Sequence, residues 1–219
     1  MNKLLTSIFA LAVSSVTAFS VHAQEIKGDA KAGEQKIAMC IGCHGIQGYK
    51  ASFPEVVRVP MISGQNAKYI VSSLNAYKKG ERKHPTMRGI AESLSEQDMA
   101  DLGAYYEQHG NIAPASKLPK AASAKVSELL QKGACVSCHG ENFNQPIDPS
   151  YPKLGGQYKD YLYVALKSYK VENQATWGRN NGVMGGIAKQ YTNAELKAIS
   201  AYIASLPGEL RVVPQSRFR

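Results

Sequence analysis

Beyond its first two dozen residues the sequence has no apolar run near the roughly 20 residues that a membrane-spanning helix needs. It also lacks the strict apolar–polar alternation that marks a half-buried strand. Its 26 Lys and Arg outweigh 17 Asp and Glu, for a formal net charge of +9. The basic residues are spread along the whole chain rather than gathered in one run, which argues against a nucleic-acid surface. Large apolar side chains are few for the length, with five Phe and one Trp in 219 residues. Cysteine is scarce too: Cys40, Cys43, Cys135 and Cys138 are all there are. In an oxidising compartment an even count first suggests disulfides, but here the grouping carries more than the count.

The one long apolar stretch lies at the start. Lys3 precedes a run from Leu4 to Phe19, and Val21-His22-Ala23 places small residues where an export peptidase reads. Residues 1–23 therefore read as a signal peptide cleaved before Gln24, leaving about 195 residues outside the cytoplasm. Without Lys3 the net charge falls from +9 to +8.

The remaining chain says the same thing twice. Cys40-Ile41-Gly42-Cys43-His44 recurs as Cys135-Val136-Ser137-Cys138-His139, 95 positions later. Pro60, Gly64 and Gln65 recur as Pro152, Gly156 and Gln157, 92 positions on, as do Ile70, Leu74 and Tyr77 in Leu162, Leu166 and Tyr169. Met87 recurs as Met184, 97 positions on, and Met99, Leu102 and Tyr105 recur as Leu196, Ile199 and Tyr202. The chain is a duplication, with domains at 24–110 and 125–219 and a Pro-, Ala- and Ser-containing linker at 111–124. Residues 171–181 are an insertion with no counterpart of the same length in the first half.

Both halves read as helical. Asp29 can cap a helix running toward Cys40. Ile70, Leu74 and Tyr77 fall on one face of a helix from about 67 to 79, matched by one from about 159 to 170. Ser95–Asp98 and Thr192–Glu195 have the form of capping boxes opening the last helix of each half. Each half is near 90 residues and buries too little surface to be comfortably stable alone. A bulky apolar cofactor inside each would solve that.

The Cys-x-x-Cys-His spacing is the attachment signature of c-type haem. Two thiols three positions apart reach the two vinyl groups of one porphyrin, and the following His lies under the iron. Cys40 and Cys43 with His44 would hold one haem, and Cys135 and Cys138 with His139 a second. A thioredoxin-like dithiol needs a strand-helix-strand setting that is missing. A four-cysteine zinc site needs its pairs about 15–20 residues apart, and here 91 residues intervene. For the opposite face of each iron, Met87 and Met184 occupy equivalent places, expected in loops before the last helix. Met61 and Met99 read as core, since their counterparts are Lys153 and Leu196, and Met39 has Ala134. His84 competes with Met87 but has no matching His in the second half, and His109 is expected to face solvent.

With these residues the chain resembles the dihaem cytochrome c4 family, over nearly all of its length beyond residue 23. The resemblance rests on the paired Cys-x-x-Cys-His sites, Gly64-Gln65 and Gly156-Gln157, the stretch from Lys79-Gly80-Glu81-Arg82 to Met87, and the Tyr-bearing last helices. It implies an all-α fold of two tandem class I cytochrome c-like domains packed together, each wrapped around one covalent haem. It also implies His/Met ligation by His44 with Met87 and His139 with Met184, and a periplasmic electron carrier rather than an enzyme. Its partners would be redox proteins, such as a quinol-oxidising complex and a terminal oxidase. An electron-accepting subunit of a flavocytochrome or other dehydrogenase is the alternative, followed by a dihaem peroxidase or sensor. The basic tail from Arg211 to Arg219 leaves peripheral membrane contact open.

Overall fold

The computed structural model describes residues 26–110 and 121–214. The expected signal peptide and most of the linker lie outside them. The first half contains α1 (Ala30–Glu34), α2 (Ala38–His44), β1 (Lys50–Ala51), β2 (Val57–Arg58), α3 (Ala67–Lys78), β3 (Arg82–Lys83), α4 (Pro85–Glu92) and α5 (Glu96–Gln108). The second contains α6 (Ala124–Lys132), α7 (Cys135–His139), α8 (Lys159–Ser168), β4 (Gly178–Arg179), α9 (Gly182–Ala188) and α10 (Asn193–Ser205).

Local chemistry explains most of these boundaries. The Asp29 carboxylate accepts the N–H groups of Lys31 at 2.8 Å and Ala32 at 3.3 Å, starting α1. That helix does not continue to Cys40 as expected. It closes at Gln35, which donates back to Ala32, and the chain turns so that Ile37 drives into the core at 1% exposure. The two capping boxes are present as expected: Ser95 and Asp98 satisfy each other's backbone N–H groups, as do Thr192 and Glu195. Each cap of this kind is worth about 1 kcal/mol.

The first core gathers Ile37, Ile70, Leu74, Met99, Leu102 and Tyr106, and the second Leu129, Phe143, Leu162, Leu196, Ile199 and Ile203. In the first, α1 crosses α5 so closely that a Cβ on Gly33 would sit 2.2 Å from the Asp101 carbonyl oxygen. Only glycine fits there. Behind the crossing, Lys36 Nζ reaches both Asp98 and Asp101 at 2.6 Å.

The expectation of no sheet needs one correction. Among the described residues there are two antiparallel two-stranded pairings, β1 with β2 and β3 with β4. Two-residue strands are too short to produce an alternating pattern. The second pairing joins the halves, with Arg82 opposite Arg179 and Lys83 opposite Gly178. Arg58, paired with Asp160 at 2.8 Å, and the Arg211 N–H on the Ser63 carbonyl at 2.9 Å also cross between halves.

Candidate functional site

In the first half, α2 presents Cys40, Cys43 and His44 to a cavity of about 540 Å³. Met87 lines the same cavity, so all four residues singled out in this half are brought together. None of the four cysteines of the chain is in a disulfide. Burial pushes the Cys40 and Cys135 thiols up, opposite to the depressed thiols of exchange-active dithiols.

His44 Nδ1 lies 2.8 Å from the Pro60 carbonyl oxygen. A carbonyl can only accept, so Nδ1 carries the proton and Nε2 keeps its lone pair. Burial lowers the imidazole pKa further than the Pro60 contact raises it, which favours this neutral form. The second half repeats the device at greater length, with His139 Nδ1 at 3.4 Å from the Pro152 carbonyl and its pKa likewise lowered by burial.

The methionines are not in loops. Met87 lies on α4 and Met184 on α9, each at the third position of its helix. The Met87 N–H donates to His84 Nδ1 at 3.5 Å, and the Met184 N–H to Asn181 Oδ1 at 2.9 Å. His84 and Asn181 are therefore counterparts, both acting as N-caps. Pro85 at the start of α4 and the glycines of Gly182-Val183-Met184-Gly185-Gly186 hid these short helices from periodicity. Met99 is buried completely, as expected. Met61 and Met39 also border the cavity, Met39 being 48% exposed. His109 does not face solvent as expected: it is half-buried, stacks on Tyr105 at 4.7 Å and contacts Ser63 Oγ at 3.3 Å.

One cluster escaped the sequence reading. Tyr161 and Arg179, from the second half, join Arg82 in the wall of the first-half cavity. Arg82 donates to Tyr161 at 2.7 Å and to Ser73 at 3.0 Å, and Arg179 donates to Tyr161 at 3.2 Å. Both guanidiniums also lie over tyrosine rings, Arg82 on Tyr77 at 4.6 Å and Arg179 on Tyr169 at 5.4 Å. Burial alone would raise the Tyr161 phenol, but Arg82 and then Arg179 pull it down to about 8. Arg82 Nε is buried without a hydrogen-bond partner. Among the described residues neither guanidinium forms a salt bridge to a carboxylate. Two cations, an orphan donor and an acidified phenol fit a ligand that brings its own carboxylates, as haem does. The signal was present in the sequence: Arg82 and Arg179 stand 97 apart, the offset of Met87 and Met184.

The comparisons with known proteins point the same way. The family description "Cytochrome c" matches residues 30–109 and again residues 123–207. The chain is similar to a cytochrome c4 of Stutzerimonas stutzeri, 32% identical over 94% of this chain and 100% of that one. A thiosulfate dehydrogenase electron acceptor of Thiomonas intermedia is 27% identical, with 80% of this chain and 82% of that one covered. The fold resembles the crystal structure of reduced recombinant cytochrome c4 from Pseudomonas stutzeri, with a TM-score of 0.62 and 30% identity. That match covers 82% of this chain and 99% of that one.

Proposed function

From membership of the cytochrome c family, to which this chain belongs, we propose how its residues hold the two haems and where it acts. The protein is a dihaem electron-transfer protein with two covalently bound c-type haems. Cys40 and Cys43 tether one haem and Cys135 and Cys138 the other, with domains at 24–110 and 125–219 around them. His44 and Met87 would hold the first iron, and His139 and Met184 the second.

The observation that carries this reading is the His44 contact with Pro60. It fixes the ring, puts the proton on Nδ1 and leaves Nε2 as the donor atom inside a cavity that Met87 also lines. The cap by His84 holds the turn that carries Met87. Arg82, Arg179 and Tyr161 offer the cationic and hydrogen-bonding groups that the haem carboxylates need. When bound, each haem supplies an iron that gains and loses one electron. With a His and a Met both committed to each iron no position would be left for a substrate, and the Met thioether would raise the potential.

We place the protein in the periplasm, soluble after cleavage of residues 1–23. Among the described residues no helix is long and apolar enough to cross a membrane. Its donor and acceptor are other redox proteins, and it performs no catalysis itself. The similarity to a thiosulfate dehydrogenase electron acceptor supports a second reading, in which a dehydrogenase is the donor.

Two spectra test the ligation. A pyridine haemochrome assay should give two covalent haems per chain, and the oxidised near-infrared spectrum a Met–iron band of full strength. Half the band, or carbon monoxide binding to the reduced protein, would remove one Met from the assignment and revive an enzyme or sensor.

A further inference from the structure

Each half reaches across the interface with one buried glutamine. Gln157 is 3% exposed; its Oε1 accepts the Met61 N–H at 3.1 Å and its Nε2 donates to the Met61 carbonyl at 2.9 Å. Gln65, 4% exposed, does the same for Lys153, accepting its N–H at 2.9 Å and donating to its carbonyl at 3.0 Å. The residues they grip come directly after Pro60 and Pro152, the two prolines whose carbonyls receive the histidines.

The Pro60 carbonyl and the Met61 N–H belong to one peptide group. A continuous chain therefore runs from the His44 Nδ1–H to the Pro60 carbonyl, through that peptide, and from the Met61 N–H to Gln157 Oε1. In such chains each hydrogen bond polarises the next. An acceptor at the N–H end makes the carbonyl a better acceptor, draws the imidazole proton outward and makes Nε2 a stronger donor. The same chain links His139, the Pro152–Lys153 peptide and Gln65. The contact at His44 is 2.8 Å and that at His139 3.4 Å, so the effect is larger at the first site.

We infer that Gln65 and Gln157 are positioning residues acting in trans: Gln157 of the second half sets the donor strength of His44, and Gln65 of the first sets that of His139. This deepens the proposed ligation and rests on it. A stronger donor favours the oxidised iron, so each glutamine holds down the potential of the haem in the other half.

The test uses the mature dihaem protein. Gln157→Ala and Gln65→Ala are titrated while NMR follows the haem-methyl signals of each domain separately. Gln157→Ala should raise the potential of the first haem by roughly a threefold change in equilibrium constant, about 28 mV for one electron at 59 mV per tenfold. The second haem should hardly move. Gln65→Ala should give the reverse pattern with a smaller shift. Should Gln157→Ala fail to take up haem, Gln157→Met preserves the bulk without the amide. Gln47→Ala removes a neutral cross-half hydrogen bond, from Gln47 Nε2 to the Tyr158 hydroxyl, without touching Gln65 or Gln157, and should leave both potentials unchanged.

Shifts confined to the mutated half, equal shifts in both halves, or none would overturn the inference. A wild-type protein without the Met–iron band would instead sink the ligation it rests on.

Discussion

Arg82 and Arg179 stand opposite one another in the β3–β4 pairing, and the Tyr161 hydroxyl accepts from both, at 2.7 and 3.2 Å. A single phenol thus ties two guanidiniums from different halves to the wall of one cavity. Positive charge near an iron favours its reduced state. Arg82→Met should therefore lower the midpoint potential of the first haem by roughly 30–60 mV, up to one tenfold change for a one-electron couple. A redox titration checks it, and an unchanged potential would place Arg82 outside the electrostatic reach of the haem.

The Lys36–Asp98–Asp101 cluster should make the fold of the first half acid-sensitive. Lys36, followed by Ser95, holds the Asp98 carboxyl below the usual range. Burial raises Asp101, yet Lys36, the Asp29 N–H and Gln97 outweigh it and leave Asp101 lowered as well. Depressed carboxylates stabilise the fold above their unfolded pKa near 4, and that stability drains away as pH falls below about 5 toward the folded values. Lys36, raised by Asp101 and then Asp98, acts in the opposite sense and loses its contribution only far into the alkaline range. The equivalent of Asp101 in the second half is Ala198. Asp101→Asn should cost about 2 kcal/mol at pH 7, and the difference from the parent should shrink as the pH is lowered through the acid range, read as denaturant midpoints at successive pH values.

Gly33→Ala tests the helix crossing. A methyl group there would lie 2.2 Å from the Asp101 carbonyl oxygen and 2.8 Å from Tyr105 Cβ. Helices α1 and α5 must separate to admit it, at about 3 kcal/mol. A thermal melt of the haem-loaded protein should fall by several degrees, while a variant as stable as the parent would mean the crossing yields freely.

The caps make the mildest prediction. Ser95→Ala and Thr192→Ala each remove a side-chain acceptor from an N3 backbone N–H, at 3.1 and 3.2 Å. Each should cost about 1 kcal/mol in a denaturant titration, and the pair should add, since the caps lie on separate helices of separate halves.

These caps were legible in the sequence because everything that makes them lies within four residues. So were α3 and α8, where Ile70, Leu74 and Tyr77, and their counterparts Leu162 and Leu166, mark one helical face. The helices carrying Met87 and Met184 were not legible. They are a turn or two long and rest on caps by His84 and Asn181, two residue types that hide their equivalence. The grips of Gln65 and Gln157 and the Arg82–Tyr161–Arg179 cluster escaped for another reason. They join residues from opposite halves, and no local pattern reports who faces whom. Only the repeat offset hinted at it.

The glutamine exchange also says something about ancestry. Residue 65 meets 153 while 157 meets 61, the reciprocal arrangement by which two identical subunits recognise each other across a two-fold axis. In a true homodimer any mutation strikes both sides of such a contact at once. Here each copy of the pattern is inherited separately, and the grip is on main chain. Met61 and Lys153 have accordingly become different residues without breaking it. Duplication within one chain leaves two individually editable ends where a symmetric dimer would have one.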